Sequence, residues 1–456
     1  MTALTADLGR FVANARYGHL PDGVLPLVRD AFTDTIGVIM VGITEPVVDI
    51  VRKTLVEPSG RHEARACLST HMVAGPDAAL LGGTAAHALD YDDQSLSGHT
   101  SAVLVPAILA EAETLGSSGL DMVTAYVTGY EVWAELLRRD AGYHKKGWHP
   151  TSVLGSVAAA AATSVLRQLN AEQAATALAI AATHASGLVA NFGTMTKPYH
   201  AGMAARSGMV ASRLAGAGMT AAIDALENPL GFLNAYSPGA KPYDVSSPVG
   251  VGSEWYLLRQ RLCIKKYASC YFMHRSFDTT IKMLAGRNLK PEDVAQVDVT
   301  MGAGQTTVLA NHRPNTGLEA KFSEQFAMAA AFILGDLGVE AFSDDVVRRE
   351  DIQAFFPKVR LITVDEYDTR DPAHSPTERV VIRLVNGETI DSGLIKSLKG
   401  HADDPMNSEE LWEKFALCTA KTHDVHEARQ LFDLLQGVDQ LRNARDLPSC
   451  TTIFNT

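Results

Sequence analysis

The segment 191–206 brings several basic side chains together at a predicted helix start. It reads NFGTMTKPYHAGMAAR and contains Lys197, His200 and Arg206. Pro198 suits the first helical position, because its ring presets φ and it lacks an N–H group that would be unpaired there. The N-terminus of a helix attracts anions through its dipole and its free N–H groups. The segment therefore predicts a carboxylate-binding corner.

Two further segments repeat this arrangement of a basic residue before a helix. In Gly147–Thr151, His149 precedes Pro150 and an apolar run, and in Gly98–Ser101, His99 precedes residues that suit an N-cap. A single histidine at a helix end is more often structural than functional. Three such segments in one chain make two interpretations equally favoured. Either the segments share one functional site, or each basic residue has a separate structural role.

Acidic side chains cluster just before His99, in the segment His87–Gln94, which reads HALDYDDQ. Three interpretations are open: a metal site, a helix C-terminus with solvated acids, or a carboxylate that orients a catalytic histidine. The spacing matches neither H-E-x-x-H nor an EF-hand loop, so the metal site is least favoured and none is predicted. Asp90 is the best candidate for burial because it is nearest the apolar helix. Asp92 and Asp93 are expected in solvent or in salt bridges.

Two adjacent lysines, Lys265 and Lys266, stand in the segment CIKKYASCYFMH, which ends at His274. One lysine head partly withdrawn from water could hold a carboxylate or have a lowered pKa. The competing interpretation, which the sequence alone favours, is a surface pair beside a strand. Cys270 has no accompanying pattern of a cysteine hydrolase, so it is not predicted to be a nucleophile.

The composition limits the classes of function. The chain has 456 residues, 46% hydrophobic and 20% charged, with a net charge of −12, which indicates a globular protein without a nucleic-acid-binding surface. Five cysteines without a C-x-x-C pair favour a reducing cytoplasm over a disulfide framework. The N-terminus has no signal-peptide pattern, and the most apolar run, 153–165, is too short to span a membrane. We therefore expect a cytoplasmic protein with no membrane or nucleic-acid partner.

Hydrophobic periodicity divides the chain into two parts. Residues 1–265 carry amphipathic and Ala-rich helical patterns, and 266–404 mix helices with alternating strands, including a hairpin at Asn386-Gly387. Helical spacing returns in 405–456. The pattern predicts a mainly α protein. Its large helical domain is 1–265 with 405–456 packed back on it, and its smaller α+β domain is 266–404.

Motifs of several enzyme classes are missing from the sequence. There is no G-x-G-x-x-G after a strand, no G-x-x-x-x-G-K-[ST] and no G-x-S-x-G elbow. This disfavours nicotinamide, nucleotide triphosphate and α/β-hydrolase chemistry. The remaining inventory of His, Lys, Asp and Arg suits abstraction of a proton next to a carboxylate, without a cofactor. Cations would hold the acid groups, and a neutral histidine would remove the proton.

Five ordered blocks of the sequence resemble the MmgE/PrpD family. They are His87–Asp93 with Gly98-His99, Gly147–Thr151, Gly193–Gly202 continued to Gly208, Lys265–His274 and Ala320–Ser323. They are similar to the family patterns H-A-x-D-[FY]-D-D…H-P-S, G-[FW]-H-P-T, G-T-M-T-K-x-x-H-x-G, K-x-[YF]-P-S-C-Y-x-x-H and A-K-F-S. The family comprises 2-methylcitrate dehydratase, cis-aconitate decarboxylase and iminodisuccinate epimerase. The resemblance thus implies cofactor-independent chemistry on small di- or tricarboxylic acids.

The resemblance also implies an architecture and a set of site residues. It implies a large helical domain, a smaller α+β lid, a homodimer and an active site between the domains. Carried over by position, the catalytic candidates, with one of the two histidines as the base, are Asp90, His99, His149, Lys197 and Lys265. The candidate substrate-binding residues are His200, Arg206, Gln94, His144, Tyr143, Lys266 and His274.

Five positions depart from the family patterns, and at two of them Thr100 and Ala268 each replace a proline. Gln94 stands where the decarboxylases and dehydratases usually have Thr, and Phe326 stands where both often have Tyr. In the epimerase-like branch a Tyr is expected where this chain has His144, and Tyr143 lies beside it. The leading hypothesis is a dehydratase or an epimerase that abstracts an α-proton. The alternatives are a cis-aconitate-type decarboxylase and a non-catalytic protein that binds small acids.

Overall fold

The fold is that of a computed structural model of the chain. The structure describes residues 3–57, 60–140, 142–237, 244–248, 250–368 and 374–450. Within these ranges, none of the helices is both long enough and apolar enough to cross a membrane.

The first part of the chain is built from helices. They are α1 (Leu4–Ala13), α2 (Val24–Gly42), α3 (Pro46–Leu55), α4 (Gly75–His87), α5 (Thr100–Leu115), α6 (Gly119–Leu137), α7 (Pro150–Leu166), α8 (Ala171–His184), α9 (Thr196–Gly216), α10 (Phe232–Tyr236) and α11 (Tyr256–Gln260). Two short strands, β1 (Ala64–Arg65) and β2 (Met72–Val73), pair antiparallel between α3 and α4. Local sequence sets some helix starts: Ser118 caps α6 and Asn170 caps α8 through side-chain hydrogen bonds.

Small residues let the central helices approach closely. A Cβ atom added to Gly202 of α9 would lie 2.3 Å from the backbone oxygen of Leu80 in α4. One added to Gly208 of α9 would lie 2.5 Å from the backbone nitrogen of Ala160 in α7. The backbone of α9 therefore packs directly on α4 and α7, where larger side chains would force the helices apart. These contacts fix the ends of the three helices relative to one another.

After α11, the chain forms a small mixed β-sheet that is covered by helices. The sheet has the order β4-β3-β5-β6, with β3 (Val294–Gly302), β4 (Val359–Val364), β5 (Arg379–Leu384) and β6 (Thr389–Asp391). β3 pairs parallel with β4 and antiparallel with β5, and β5 pairs antiparallel with β6 around Gly387, whose φ is 89°. The helices of this part are α12 (His274–Leu284), α13 (Ala303–Val308), α14 (Gly317–Ala320), α15 (Glu324–Ile333), α16 (Asp344–Val347) and α17 (Glu350–Phe355).

Two further helices return to the first part of the chain. α18 (Ser408–Thr419) and α19 (Val425–Gln436) both pack against α2. Lys414 of α18 pairs with Asp34 of α2 at 2.5 Å and donates to the backbone oxygen of Tyr91 at 2.9 Å. The chain is mainly α with a smaller α+β part, which confirms the predicted fold class. The domain boundaries at 265 and 405 and the homodimer stay predictions.

Two hydrophobic cores meet at the segment 88–99, which connects α4 to α5. One core lies among the helices of the first part and includes Ala88 and Leu96. The other lies between the sheet and its helices and includes Leu89 and Tyr91. Because both cores cover this short connection, all of its residues are buried.

Candidate active site

The segment that connects α4 to α5 carries several ionisable side chains, and its backbone is strained at Asp90. His87 ends α4, and His99 immediately precedes α5. Asp90, between them, has a φ of 52°, a left-handed conformation that is unfavourable for a residue with a Cβ. Such a conformation persists where surrounding contacts determine it. Here the Nζ of Lys265 donates to the backbone oxygen of Asp90 at 2.7 Å and so holds the strained residue in place.

Asp90 accepts hydrogen bonds from two ammonium groups. Its Oδ1 lies 2.7 Å from the Nζ of Lys197 and 3.0 Å from the Nζ of Lys265. All three side chains are buried. Burial alone would raise the pKa of Asp90, but the two lysines outweigh it and lower that pKa well below its usual range. Asp90 is therefore an anion at neutral pH, and the group of three keeps one surplus positive charge.

Asp92 lies between two imidazoles and is fully buried, so the expectation that it could be solvated is wrong. Its Oδ1 accepts a hydrogen bond from the Nδ1 of His87 at 2.9 Å, and its Oδ2 lies 2.8 Å from the Nδ1 of His99. Burial raises the pKa of Asp92, but the two histidines outweigh burial and bring that pKa well below the usual range. Asp92 is thus a buried anion whose partners are both imidazoles.

Asp93 is also fully buried, and the expectation of a solvated or salt-bridged acid is wrong here too. Burial, assisted by the charge of Asp34, raises the pKa of Asp93 to about 8. The hydroxyl of Ser101 donates a hydrogen bond to its Oδ2. Asp93 is therefore a neutral acid at pH 7, in contrast to its neighbour in the sequence.

Four imidazoles lie next to one another around these acids. The ring centre of His87 is 4.2 Å from that of His99 and 5.8 Å from that of His149. The Nδ1 atoms of His149 and His200 are 3.2 Å apart. Burial lowers the pKa of all four, to about 3 for His87 and about 4 for His200, and the charge of Lys197 adds to this effect. At neutral pH these imidazoles are neutral and can accept a proton.

Three helix starts lie beside this group of side chains. α5 begins directly after His99, and α7 begins directly after His149. α9 begins at Thr196, so Lys197 lies inside its first turn and not before the helix as expected from Pro198. A proline is tolerated in this turn because the backbone N–H groups have no intrahelical partner there. The positive ends of the helix dipoles at these starts favour an anionic ligand.

A small cavity opens over these groups. Both parts of the chain contribute to its wall, which consists of Asp90, Gln94, Ser97, Gly98, His99, His144, His149, Thr151, Phe192, Lys197, Cys270, Tyr271, Phe272, Val308 and Phe322. The Nζ of Lys197 lies 4.9 Å from the ring centre of Phe322 and 5.1 Å from that of Phe192. A concave site with apolar walls and a few charged groups is typical of small-molecule binding.

Most of the residues predicted from sequence come together at this cavity. Those in its wall are Asp90, Gln94, His99, His144, His149 and Lys197. Lys265 has no exposed surface and contacts Asp90. His200 contacts His149 without being part of the wall.

The other predicted residues are not part of the cavity wall. These are Arg206, Tyr143, Lys266 and His274. Arg206 pairs with Asp77 at 3.3 Å, and Lys266 pairs with a carboxylate of α12 at 2.8 Å. Tyr143 and His274 have no exposed surface. Their role in substrate binding stays a prediction.

Sequence reasoning missed two kinds of residue at the site. The aromatic residues Phe192 and Phe322 stand in the segment 191–206 and the block Ala320–Ser323, but they were not singled out, because an apolar side chain in a cavity wall follows the same pattern as one in a core. His87 and Asp92 did have a signal, since they share the block that contains Asp90 and His99. Their contacts become visible only once the connection is seen to be buried.

Four of these side chains have donor atoms close enough to compare with a metal site. Ligand atoms of His87, Asp90, Asp92 and His99 lie within 4.8 Å of one another. However, Asp90 already binds two ammonium groups, and Asp92 faces two imidazole nitrogens. Ammonium groups at 2.7 and 3.0 Å would repel a metal cation at the same carboxylate. The donor set therefore fits a network of ion pairs that binds anions.

Comparisons with known proteins give matches over nearly the whole chain. The MmgE/PrpD N-terminal domain matches residues 6–244, and the MmgE/PrpD C-terminal domain matches residues 267–440. The cis-aconitate decarboxylase of Homo sapiens is 27% identical over 479 residues, which cover 99% of this chain and 94% of that protein. That of Mus musculus is 26% identical, covering 100% and 98%. That of Aspergillus terreus is 27% identical, covering 98% and 95%.

Proposed function

The chain belongs to the MmgE/PrpD family, and on this premise we propose that it is a cofactor-independent lyase that removes CO2 from a small di- or tricarboxylic acid. The observation that carries the proposal is the cavity wall that combines Lys197, His99 and His149 from three helix starts. The relatives are cis-aconitate decarboxylases, which supports loss of CO2 over dehydration or epimerisation, the reactions that the sequence alone put first.

Binding of the acid is assigned to Lys197 and the neighbouring helix starts. Lys197 is in the cavity wall, whereas Lys265 is fully buried against Asp90. Because Lys265 alone can neutralise Asp90, Lys197 is able to share its charge with a substrate carboxylate. The positive ends of the α7 and α9 dipoles favour a second carboxylate. The aromatic rings of Phe192 and Phe322 keep water away from the bound group and strengthen its ion pair.

Loss of CO2 needs a place for an electron pair and a source of a proton. When the C–C bond to one carboxylate breaks, CO2 leaves and the electron pair stays on the substrate, where an adjacent double bond or carboxylate delocalises it. An imidazolium then gives its proton to carbon and returns to its neutral form. His99 and His149 are neutral in the protein alone, so the bound polyanion must bring the proton with it. Negative charge beside an imidazole favours its charged form and makes this possible.

Epimerisation is the second candidate, and one residue favours it. Inversion at carbon needs acid/base groups on two faces of the substrate. His144, which precedes the start of α7, adds a third imidazole to the cavity wall. It also contacts the ring of Phe192 edge-on, with ring centres 6.2 Å apart. In this alternative His144 and His99 exchange protons with the same carbon, and no CO2 is released.

A product analysis with defined acids separates these proposals. The purified protein is incubated with cis-aconitate, 2-methylcitrate or iminodisuccinate, released CO2 is measured and products are identified by NMR. We expect one CO2 per product molecule with an unsaturated tricarboxylate, and none with the His99→Gln variant. Turnover without CO2 would replace the proposal with dehydration or epimerisation. Binding of the acids without any turnover would identify a non-catalytic binding protein.

A further inference from the structure

The carboxylate of Asp92 divides its two oxygens between two histidines. Oδ1 is 2.9 Å from the Nδ1 of His87, and Oδ2 is 2.8 Å from the Nδ1 of His99. Neither His87 nor Asp92 is part of the cavity wall, whereas His99 is. The carboxylate therefore cannot touch a substrate in the cavity directly, and any effect on the reaction must pass through His99.

The surroundings of His99 fix which ring nitrogen carries its proton. Its Nδ1 faces Oδ2 of Asp92 and also lies 3.2 Å from the backbone oxygen of Asp93. Both neighbours are acceptors, so Nδ1 must carry the hydrogen. The Nε2 atom then has the free lone pair, and it lies 3.6 Å from Oδ1 of Asp90 in the cavity wall. Nε2 is thus the atom of His99 that can take or give a proton.

The hydrogen bond that the structure gives for the His87 side chain is the one to Asp92. The ring is buried, and its Nε2 has no hydrogen-bond partner among the residues that the structure describes. A buried polar atom without a partner costs free energy that an apolar side chain would not. Its Nδ1–H group, however, withdraws part of the Asp92 charge from His99.

We propose that Asp92 and His87 are positioning residues for His99. Asp92 is the counter-charge for the imidazolium that His99 forms during turnover, and His87 weakens this counter-charge by binding the other carboxylate oxygen. The inference rests on the proposed function only in giving His99 a proton to transfer. The arrangement itself is a property of the protein without substrate.

Several charged groups besides Asp92 act on His99, and the proposal must hold among them. Asp90 belongs to the same connection, Lys197 comes from α9, and Lys265 lies in the chain after α11. The two lysines oppose a charge on His99, and Asp90 favours one. The neutral His149 of α7 has its ring centre 6.4 Å away. None of these groups changes when Asp92 or His87 is replaced, so differences between variants report on the pair alone.

The test is the titration of His99, followed by ¹⁵N NMR of the imidazoles in the protein without substrate. Asp92→Asn removes the counter-charge, so the His99 titration should move to lower pH by about one unit or more. His87→Leu removes the competing N–H donor, so the titration should move to higher pH. His87→Gln retains a donor and should stay close to the wild type. General damage to the site would not move the two titrations in opposite directions.

Activity provides a second readout for the same variants. Asp92→Asn should lower kcat on the order of 10²- to 10⁴-fold, the range seen when the carboxylate partner of a catalytic histidine is lost. The acid limb of the kcat/KM profile should move in the same direction as the NMR titration, and Asp92→Glu should restore part of the rate. An unchanged acid limb in Asp92→Asn would overturn the proposal.

Two outcomes keep the inference distinct from the proposed function. In the wild type, His99 must show the proton on Nδ1, and a proton on Nε2 would overturn the inference even if Asp92→Asn fails to fold. If the titrations move as expected but no polycarboxylate releases CO2, the proposed function fails while the arrangement stands. If CO2 is released but the titrations do not separate, the inference fails alone.

Discussion

Replacement of Lys197 by methionine removes the ammonium group from the cavity wall and keeps the apolar stem. The Nζ of Lys197 and Oδ1 of Asp90 are 2.7 Å apart, and unit charges at this distance attract by about 6 kcal/mol at an effective dielectric constant of about 20. Desolvation cancels part of this, and loss of one partner of a buried pair costs about 3–5 kcal/mol. For a substrate carboxylate we expect a similar loss in the transition state.

The expected result for Lys197→Met is a roughly 100- to 1,000-fold fall in kcat/KM, equivalent to about 3–4 kcal/mol. The fold should be kept, because Lys265 still pairs with Asp90 at 3.0 Å. Steady-state kinetics with the substrate found by product analysis measures kcat/KM. Near-UV circular dichroism and thermal unfolding show whether the fold is kept.

The matched control is Lys282→Met, which makes the same substitution at an ion pair of the same length. Lys282 pairs with Asp278 at 2.7 Å, but its side chain is 69% exposed. Surface pairs contribute less than about 1 kcal/mol, so kcat/KM should stay within about threefold. A Lys197→Met variant that is as active as this control would refute the role of Lys197 in holding a carboxylate.

Three further predictions test other parts of the site. Lys265→Met should lower the free energy of unfolding by about 3–5 kcal/mol, more than Lys197→Met, because Lys265 is buried and binds both the backbone oxygen and the carboxylate of Asp90. Equal urea midpoints for the two variants would contradict this. Burial raises the pKa of Asp93 from 3.8 to about 8, so the folded protein keeps a proton that the unfolded chain releases, and stability falls as the pH rises towards 8. Asp93→Asn should therefore gain stability relative to the wild type by up to about 1.4 kcal/mol per pH unit between pH 5 and 8; a difference independent of pH would refute this. His99→Gln should abolish turnover, whereas His149→Gln should keep a measurable rate, as stopped assays can show; if both keep the wild-type rate, neither imidazole moves the proton.

Local patterns were sufficient to predict the start of α7 and the fold class. His149 directly precedes a helix because Pro150 follows it, a feature that acts within a few residues. The predicted N-cap of α5 is wrong, because His99 itself is the N-cap, without a side-chain hydrogen bond, and Thr100 and Ser101 lie inside the helix. The hairpin at Asn386-Gly387 follows from the same kind of local rule, since only a few residue types tolerate its turn. The hydrophobic periodicity of the two parts of the chain was enough to indicate a mainly α protein with a smaller α+β part.

The burial of the acids could not be predicted, because it depends on residues far away in the sequence. Asp92 and Asp93 look like solvated acids at the end of α4, and the second core covers them only because Leu89 and Tyr91 pack into it. The contrast between the two acids has the same origin. Asp92 meets two imidazoles and is charged, and Asp93 meets a hydroxyl and is neutral.

The sequence also could not predict which of the two adjacent lysines, Lys265 or Lys266, is buried. Lys265 has no exposed surface and contacts Asp90, whereas the side chain of Lys266 is 43% exposed and pairs with Asp278. The two neighbouring side chains thus differ completely in burial. The sequence shows the pair but not which member faces the site.

In the proposed reaction, imidazoles in this cavity protonate a carbanion after a small polycarboxylic acid loses CO2. Turnover of cis-aconitate in heavy water, with CO2 and deuterium measured in one NMR experiment, tests it most directly. We expect one CO2 and one deuterium on carbon for each product molecule. Deuterium exchange into the acid without release of CO2, or no reaction at all, would contradict it.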